Sequence, residues 1–245
     1  MRRELNRKSN TYNRTVGYEL IKSLKADPEN FRYDYQLYEE YCRGFDTETL
    51  RPLLRSENEY IRLHAAEILA EGAPAWVEPF LDEAVRLLDD ENVLTIMCAL
   101  ETLTYSGYGE YYLKLFEALE HGEFKIRHKA MSLFDSRSDI VYGHMLEYLK
   151  ETGNLRYYEC ISLLYNHNDL QENEAILFLE SDDPVKRKFG VIAAGKLYKK
   201  FPGILKKAAA GSDEDIKIYA DEILERIRSA ERRERKKNKK HKRFF

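Results

Sequence analysis

Six small residues recur along this 245-residue chain at nearly constant spacing: Ala65, Ala99, Ala130, Cys160, Gly190 and Ala220. The steps are 34, 31, 30, 30 and 30 residues. Eleven positions before each stands a second column, Leu54, Leu88, Leu119, Leu149, Leu179 and Ala209. Four positions after each stands a third, Leu69, Leu103, Phe134, Leu164, Ala194 and Leu224. A period near 30 marks a protein of stacked repeats. Each unit then buries its apolar face against its neighbours.

Apolar spacing inside each unit is helical. Ile61, Ala65, Ile68 and Leu69 fall on one face of a helix, and Gly72-Ala73-Pro74 stops it. The pattern predicts two helices per unit: Thr47–Leu54 with Glu59–Glu71, Trp76–Leu88 with Asn92–Tyr105, Tyr111–Glu120 with Phe124–Phe134. The series continues with Tyr142–Lys150 and Leu155–Tyr165, Leu170–Glu180 and Pro184–Lys199, and Pro202–Ala210 with Asp215 onward. Asn58, Asn92, Asp183 and Asp213 stand where an oxygen-bearing side chain would cap the second helix, and Ser212 with Asp215 reads as a weak capping box. Two further helices, Thr15–Lys25 and the aromatic-rich Pro28–Arg43, fit the columns poorly and are expected to cap the array. The expected fold is an all-α solenoid, a superhelix of about six hairpins plus this pair. The divisions are a basic segment at 1–14, the cap at 15–45, the array at 46–230 and a basic tail at 231–245.

Charge is unevenly spread. The whole chain carries −3, yet residues 226–245 carry +9 and residues 1–14 carry +4, leaving −16 on the body. Met1–Arg14 is polar and lacks the apolar core of a secretory signal. No apolar run reaches the roughly 18 residues of a membrane span. Cys42, Cys98 and Cys160 are odd in number and far apart, which fits a reducing compartment rather than a disulfide framework. Cys98 and Cys160 are expected to pack in the core.

Three segments carry a resemblance: I-R-L-H-A-A-E-I-L at Ile61–Leu69, I-R-H-K-A-M-S-L-F at Ile126–Phe134, and I-K-I-Y-A-D-E-I-L at Ile216–Leu224. With D-D-P-V-K-R-K-F-G-V-I-A-A at Asp182–Ala194, they resemble HEAT repeats in the short, PBS-lyase-type form, over about Thr47–Ile227. Thr95-Ile96 and Arg156-Tyr157 depart from the apolar–basic pair of that pattern. The resemblance implies an architecture and no particular activity.

Arg62, Arg127, Arg187 and Lys217 recur three places before the small column. In HEAT-like proteins such a residue pairs with a neighbouring loop, which implies a ladder involving Asn58, Glu123, Asp183 and Asp213. The alternative is a basic stripe for phosphate. HEAT-like DNA glycosylases would need a basic concave face with several tryptophans; one Trp and a −16 body weigh against that.

The six histidines show no zinc-motif spacing, though His121 and His128 are near enough in sequence to meet. Phosphate-loop, dinucleotide and nucleophile-elbow motifs are missing. No catalytic residue, metal or cofactor is therefore expected. Candidate partner-binding residues are Tyr33, Tyr35, Tyr38, Tyr111, Tyr112, Tyr157 and Tyr158, because tyrosine joins apolar area to a hydroxyl. The tail offers Arg232, Arg233, Arg235, Lys236, Lys237, Lys239, Lys240, Lys242 and Arg243 to an anionic surface. The last helix is expected to end near Arg235, with like charges keeping the remainder unfolded.

These features point to a monomeric cytoplasmic scaffold whose acidic surface holds a protein with a basic patch. An RNA- or ribosome-associated protein acting through its tail is the second reading. An enzyme or lyase on the same scaffold is the third.

Overall fold

A computed structural model describes residues 15–72, 74–105 and 109–241. It is all-α, and no strand occurs among the described residues. Antiparallel hairpins pack on one another in the solenoid manner. No described helix is long and apolar enough to cross a membrane. The chain divides into two compact units, 1–112 and 113–245, so the array expected over 46–230 is shared between them. The segment 1–14 lies outside the described residues.

In the first unit, α1 (residues 15–26) and α2 (Arg32–Cys42) precede the regular hairpins. Leu24, Leu37, Tyr41 and Phe45 join the core of the first hairpin. A 3₁₀ turn, Thr47–Leu50, leads into α3 (Arg51–Leu54), which packs on α4 (Glu59–Ala70). The expected helix Trp76–Leu88 is broken into α5 (Pro74–Val77), a 3₁₀ turn over Glu78–Phe80, and α6 (Leu81–Leu87). Pro79 explains the break, because proline lacks an amide donor and its ring clashes with the preceding turn. α7 (Val93–Leu103) then packs on α4 and α6.

The Glu83 carboxylate, 1% exposed, is held by three arginines. Arg55 Nε donates at 2.7 Å, Arg51 Nη1 at 3.0 Å and Arg86 Nε at 3.1 Å. Burial would raise the acid's pKa, but the three guanidinium groups outweigh it and lower the pKa below the ordinary value.

The second unit follows from α8 (Gly109–Ala118), inside which the division falls. It contains α9 (Phe124–Asp135), α10 (Asp139–Glu151), α11 (Leu155–Tyr165), α12 (Glu172–Leu179), α13 (Pro184–Lys196), α14 (Pro202–Ala209) and α15 (Glu214–His241). α11, α13 and α15 stack in order, but α9 also packs on α13 and α15. Phe134 of α9 meets Phe189 of α13 with centroids 4.9 Å apart, and Phe116 meets Phe189 at 5.7 Å. Tyr219 of α15 donates its hydroxyl to Asp135 at 3.2 Å. Contacts in this unit thus extend past nearest neighbours, further than a simple repeat stack requires.

All six small-column residues are buried, as are all six of the third column. At Gly190 the reason is steric. A Cβ there would lie 2.7 Å from Leu179 N and 3.0 Å from Phe178 C, both backbone atoms of α12. Asn58, Asn92 and Asp183 cap α4, α7 and α13 as expected. Asp213 accepts from the Ile216 amide at 3.4 Å in the first turn of α15. The Asp215 carboxylate accepts instead from Arg127, so the proposed Ser212–Asp215 box gives way to a tertiary ion pair.

α15 runs to His241, past the expected end near Arg235. Its N-terminal half is anchored by buried Ile216, Tyr219, Ala220, Ile223 and Leu224. Extending an existing helix is far easier than nucleating one, and Arg, Lys, Glu and Ala all favour the helix. Lys242, Arg243, Phe244 and Phe245 lie outside the described residues.

Candidate functional site

The recurring arginines are already engaged. Arg62 Nε donates to Asp90 at 2.6 Å while Nη1 donates to the Ser56 and Glu57 carbonyls. Arg187 does the same with Asp213 at 2.8 Å and the Ser181 and Asp182 carbonyls. Arg127 takes the His121 and Gly122 carbonyls and reaches Asp215 at 2.7 Å. A ladder forms, but its acceptors are Asp90, Asp183, Asp213 and Asp215 rather than Asn58 and Glu123.

Arg156, which departs from the sequence pattern, supplies the missing rung. It donates to Asp183 at 2.7 Å and to Glu120 at 3.0 Å. Asp183 is pulled down to about 2 chiefly by Arg156, against the upward push of burial. Side chains committed in this way do not make a free stripe for phosphate.

The candidate tyrosines scatter. Tyr112 is buried, while Tyr33 and Tyr111 pack against the first unit's core. Tyr157 stacks on Phe116 at 4.0 Å, its rings 8° from parallel. Tyr158 lines a groove of the second unit with Leu163, Leu177 and Phe178. Tyr35 and Tyr38 share a cleft on the first unit, where Tyr35 is 63% exposed and Tyr38 donates to the Glu71 carbonyl at 3.2 Å.

That cleft, of about 290 Å³, lies where α2 and α4 meet, with α7 alongside. Asp34, Glu67, Glu71 and Glu101 line it together with Phe31, Tyr35, Tyr38 and Cys98. Phe31 is 54% exposed. Cys98 is only half-buried, unlike fully buried Cys160, whose thiol burial pushes up to about 12. Sequence reasoning marked only the tyrosines here. Only Glu67 on α4 and Glu71, the residue that closes that helix four places on, share a legible face.

Beside the cleft stands His64, fully buried on α4. Its Nε2 lies 2.8 Å from the Pro28 carbonyl oxygen. A carbonyl can only accept, so Nε2 carries the proton. Nδ1 lies 3.7 Å from Asp34 Oδ2 and 3.7 Å from Glu67 Oε2. Neither Nδ1 nor Glu67 Oε2 has a hydrogen-bond partner. Phe31 covers the ring edge-on, with centroids 4.8 Å apart. Burial lowers the imidazole's pKa, but Glu67, the Pro28 carbonyl and Asp34 outweigh it, and the net shift is upward.

His121 and His128 have separate partners. His121 Nδ1 accepts from the Glu123 amide at 3.0 Å, and His128 faces Glu222 across α9 and α15 at 3.0 Å. On α15, Arg232, Arg233 and Lys236 are exposed. The side chains of Arg235, Lys237, Lys239 and Lys240 lie outside the description, as do Lys242 and Arg243.

No family model matches the chain, and no curated protein matches it. Among solved structures, the crystal structure of an engineered protein is similar over 90% of this chain and 90% of that one. The identity is 15% and the TM-score 0.38.

Proposed function

We propose that this chain is a non-catalytic, HEAT-like binding scaffold whose first unit receives a basic segment of a partner protein. One observation carries the reading: exposed Phe31 and Tyr35 stand in a single cleft with Asp34, Glu67, Glu71 and Glu101. An arginine or lysine entering there finds carboxylates for its charge and an aromatic face for its flat or aliphatic part. The −16 body draws such a segment in from a distance, so association is fast and weakens with salt. A monomer working in the cytoplasm fits the thiol content and the charge.

The test is fluorescence anisotropy of a short Arg/Lys-rich peptide against the full chain at two salt concentrations. Tyr35→Ala and Glu71→Lys are each expected to weaken binding about tenfold, close to 1.4 kcal/mol. Binding indifferent to both changes would defeat the proposal.

A second reading has its own support. α15 carries Arg228, Arg232, Arg233 and Lys236 on an extended helix, a surface suited to nucleic acid. Replacing Arg228, Arg232, Arg233 and Lys236 together by alanine should then abolish retention on RNA and leave peptide binding intact.

A further inference from the structure

We propose that Asp34, His64 and Glu67 form a binding site for one divalent transition-metal ion of the zinc type. The inference goes beyond the peptide-binding role, and it shares Asp34 and Glu67 with the cleft while adding the buried His64. His64 Nδ1 and one oxygen from each carboxylate all lie within 4.8 Å of one another. Because Nε2 donates to Pro28, Nδ1 keeps its lone pair, and this buried, unpartnered atom lies 3.7 Å from one oxygen of each carboxylate. Three electron-pair donors converge, and a cation is the natural partner for them.

A proton competes for the same lone pair, but the distances suit it poorly. An imidazolium N–H would need an acceptor at roughly 2.7–3.2 Å, and both oxygens stand 3.7 Å away. A single water has two protons for three acceptors. A zinc-type ion fits better. With bonds of about 2.1 Å, ligand atoms 3.7 Å apart subtend ~124° at the metal, wider than tetrahedral and close to the trigonal value.

The supporting contacts agree. The Pro28 carbonyl fixes the His64 tautomer from the far side, as metal-bound histidines usually require. The other Asp34 oxygen, Oδ1, accepts from the Tyr35 amide at 2.7 Å, which orients that carboxylate. One nitrogen and two oxygens favour zinc-type ions over calcium or magnesium, which prefer all-oxygen shells. Water from the cleft would complete the coordination. The ion would tie α2 to α4, the joint on which the capping helices are mounted.

The test is titration of the full chain with Co²⁺, read by its visible absorption, and with Zn²⁺ against a chromophoric chelator. The expected result is one equivalent bound, with a rise in melting temperature. Asp34→Asn and Glu67→Gln preserve shape and should each weaken zinc binding at least tenfold. Circular dichroism checks that both variants fold. Zinc binding lost in variants that still fold supports the site. No binding by the parent, or equal binding by both variants, would overturn it. So would displacement of zinc by an equal concentration of Mg²⁺. Loss of the peptide role in Tyr35→Ala leaves the zinc result untouched, so the two ideas fail separately.

Discussion

Arg127 and Asp215 stand 88 residues apart and form a two-pronged pair, Nε and Nη2 donating to the two carboxylate oxygens at 2.7 and 2.8 Å. Arg62, Arg156 and Arg187 reach only 28, 27 and 26 residues ahead. Arg127 holds its own loop carbonyls just as Arg62 and Arg187 do. The difference is that α9 packs on α13 and α15, which brings the last helix to the position a next-repeat loop would occupy.

Asp215 also faces Lys188, 3.3 Å away and nearly buried. Asp215→Asn leaves two cations without their counter-charge in a poorly solvated place. The expected cost is about 3 kcal/mol, measured by urea unfolding followed by circular dichroism. Lys186→Ala breaks a pair with the exposed Glu159 and should cost under about 1 kcal/mol. Equal losses for the two would contradict the buried character of the Arg127 network.

Asp183 sets a pH dependence. Its carboxyl titrates near 2 in the folded chain against an ordinary 3.8, first because of Arg156. Between those values the unfolded chain binds more protons than the folded one. Stability from this group is therefore complete above about pH 5 and is lost as pH falls through 4 towards 2. Allowing for solvent screening, the contribution is about 1–2 kcal/mol. Asp183→Asn should lose it at pH 7 and show a shallower stability slope between pH 2 and 4.

Gly190→Ala tests the close approach of α13 to α12. The added methyl meets backbone, which cannot rotate aside as a side chain could. Helix propensity favours alanine by up to about 1 kcal/mol, so a net loss of about 1–3 kcal/mol would report overpacking. A variant as stable as its parent would mean that the helices can separate freely.

Glu83→Gln should loosen the first unit, since three guanidinium groups lose the charge they share. The chain's one tryptophan, Trp76, packs against that unit's core and stacks 6.2 Å from Tyr41. Its fluorescence should show an unfolding midpoint lowered by about 2 kcal/mol of stability. An unshifted fluorescence transition would mean that the cluster is not structural.

The repeat, the helical class and the caps were legible in the residues alone. Ala65, Ala99, Ala130, Cys160, Gly190 and Ala220 are all buried, and Asn58, Asn92 and Asp183 all cap. These features depend on periodicity within a turn or two and on which side chains exclude water, both local quantities. The sequence did not separate the tyrosines, because a ring that packs and a ring that binds have the same sequence signature. Tyr112 is in the core and Tyr35 is in the open, as neighbouring helices dictate.

The partner of Arg127, and the meeting of Asp34 with His64 and Glu67, belong to tertiary structure. Each depends on how far one hairpin turns relative to another, a small rotation that accumulates over the repeats. Local patterns leave that rotation open; around Arg127 the packing of Phe116, Phe134 and Phe189 sets it, and Phe31 packs over His64 in the first unit.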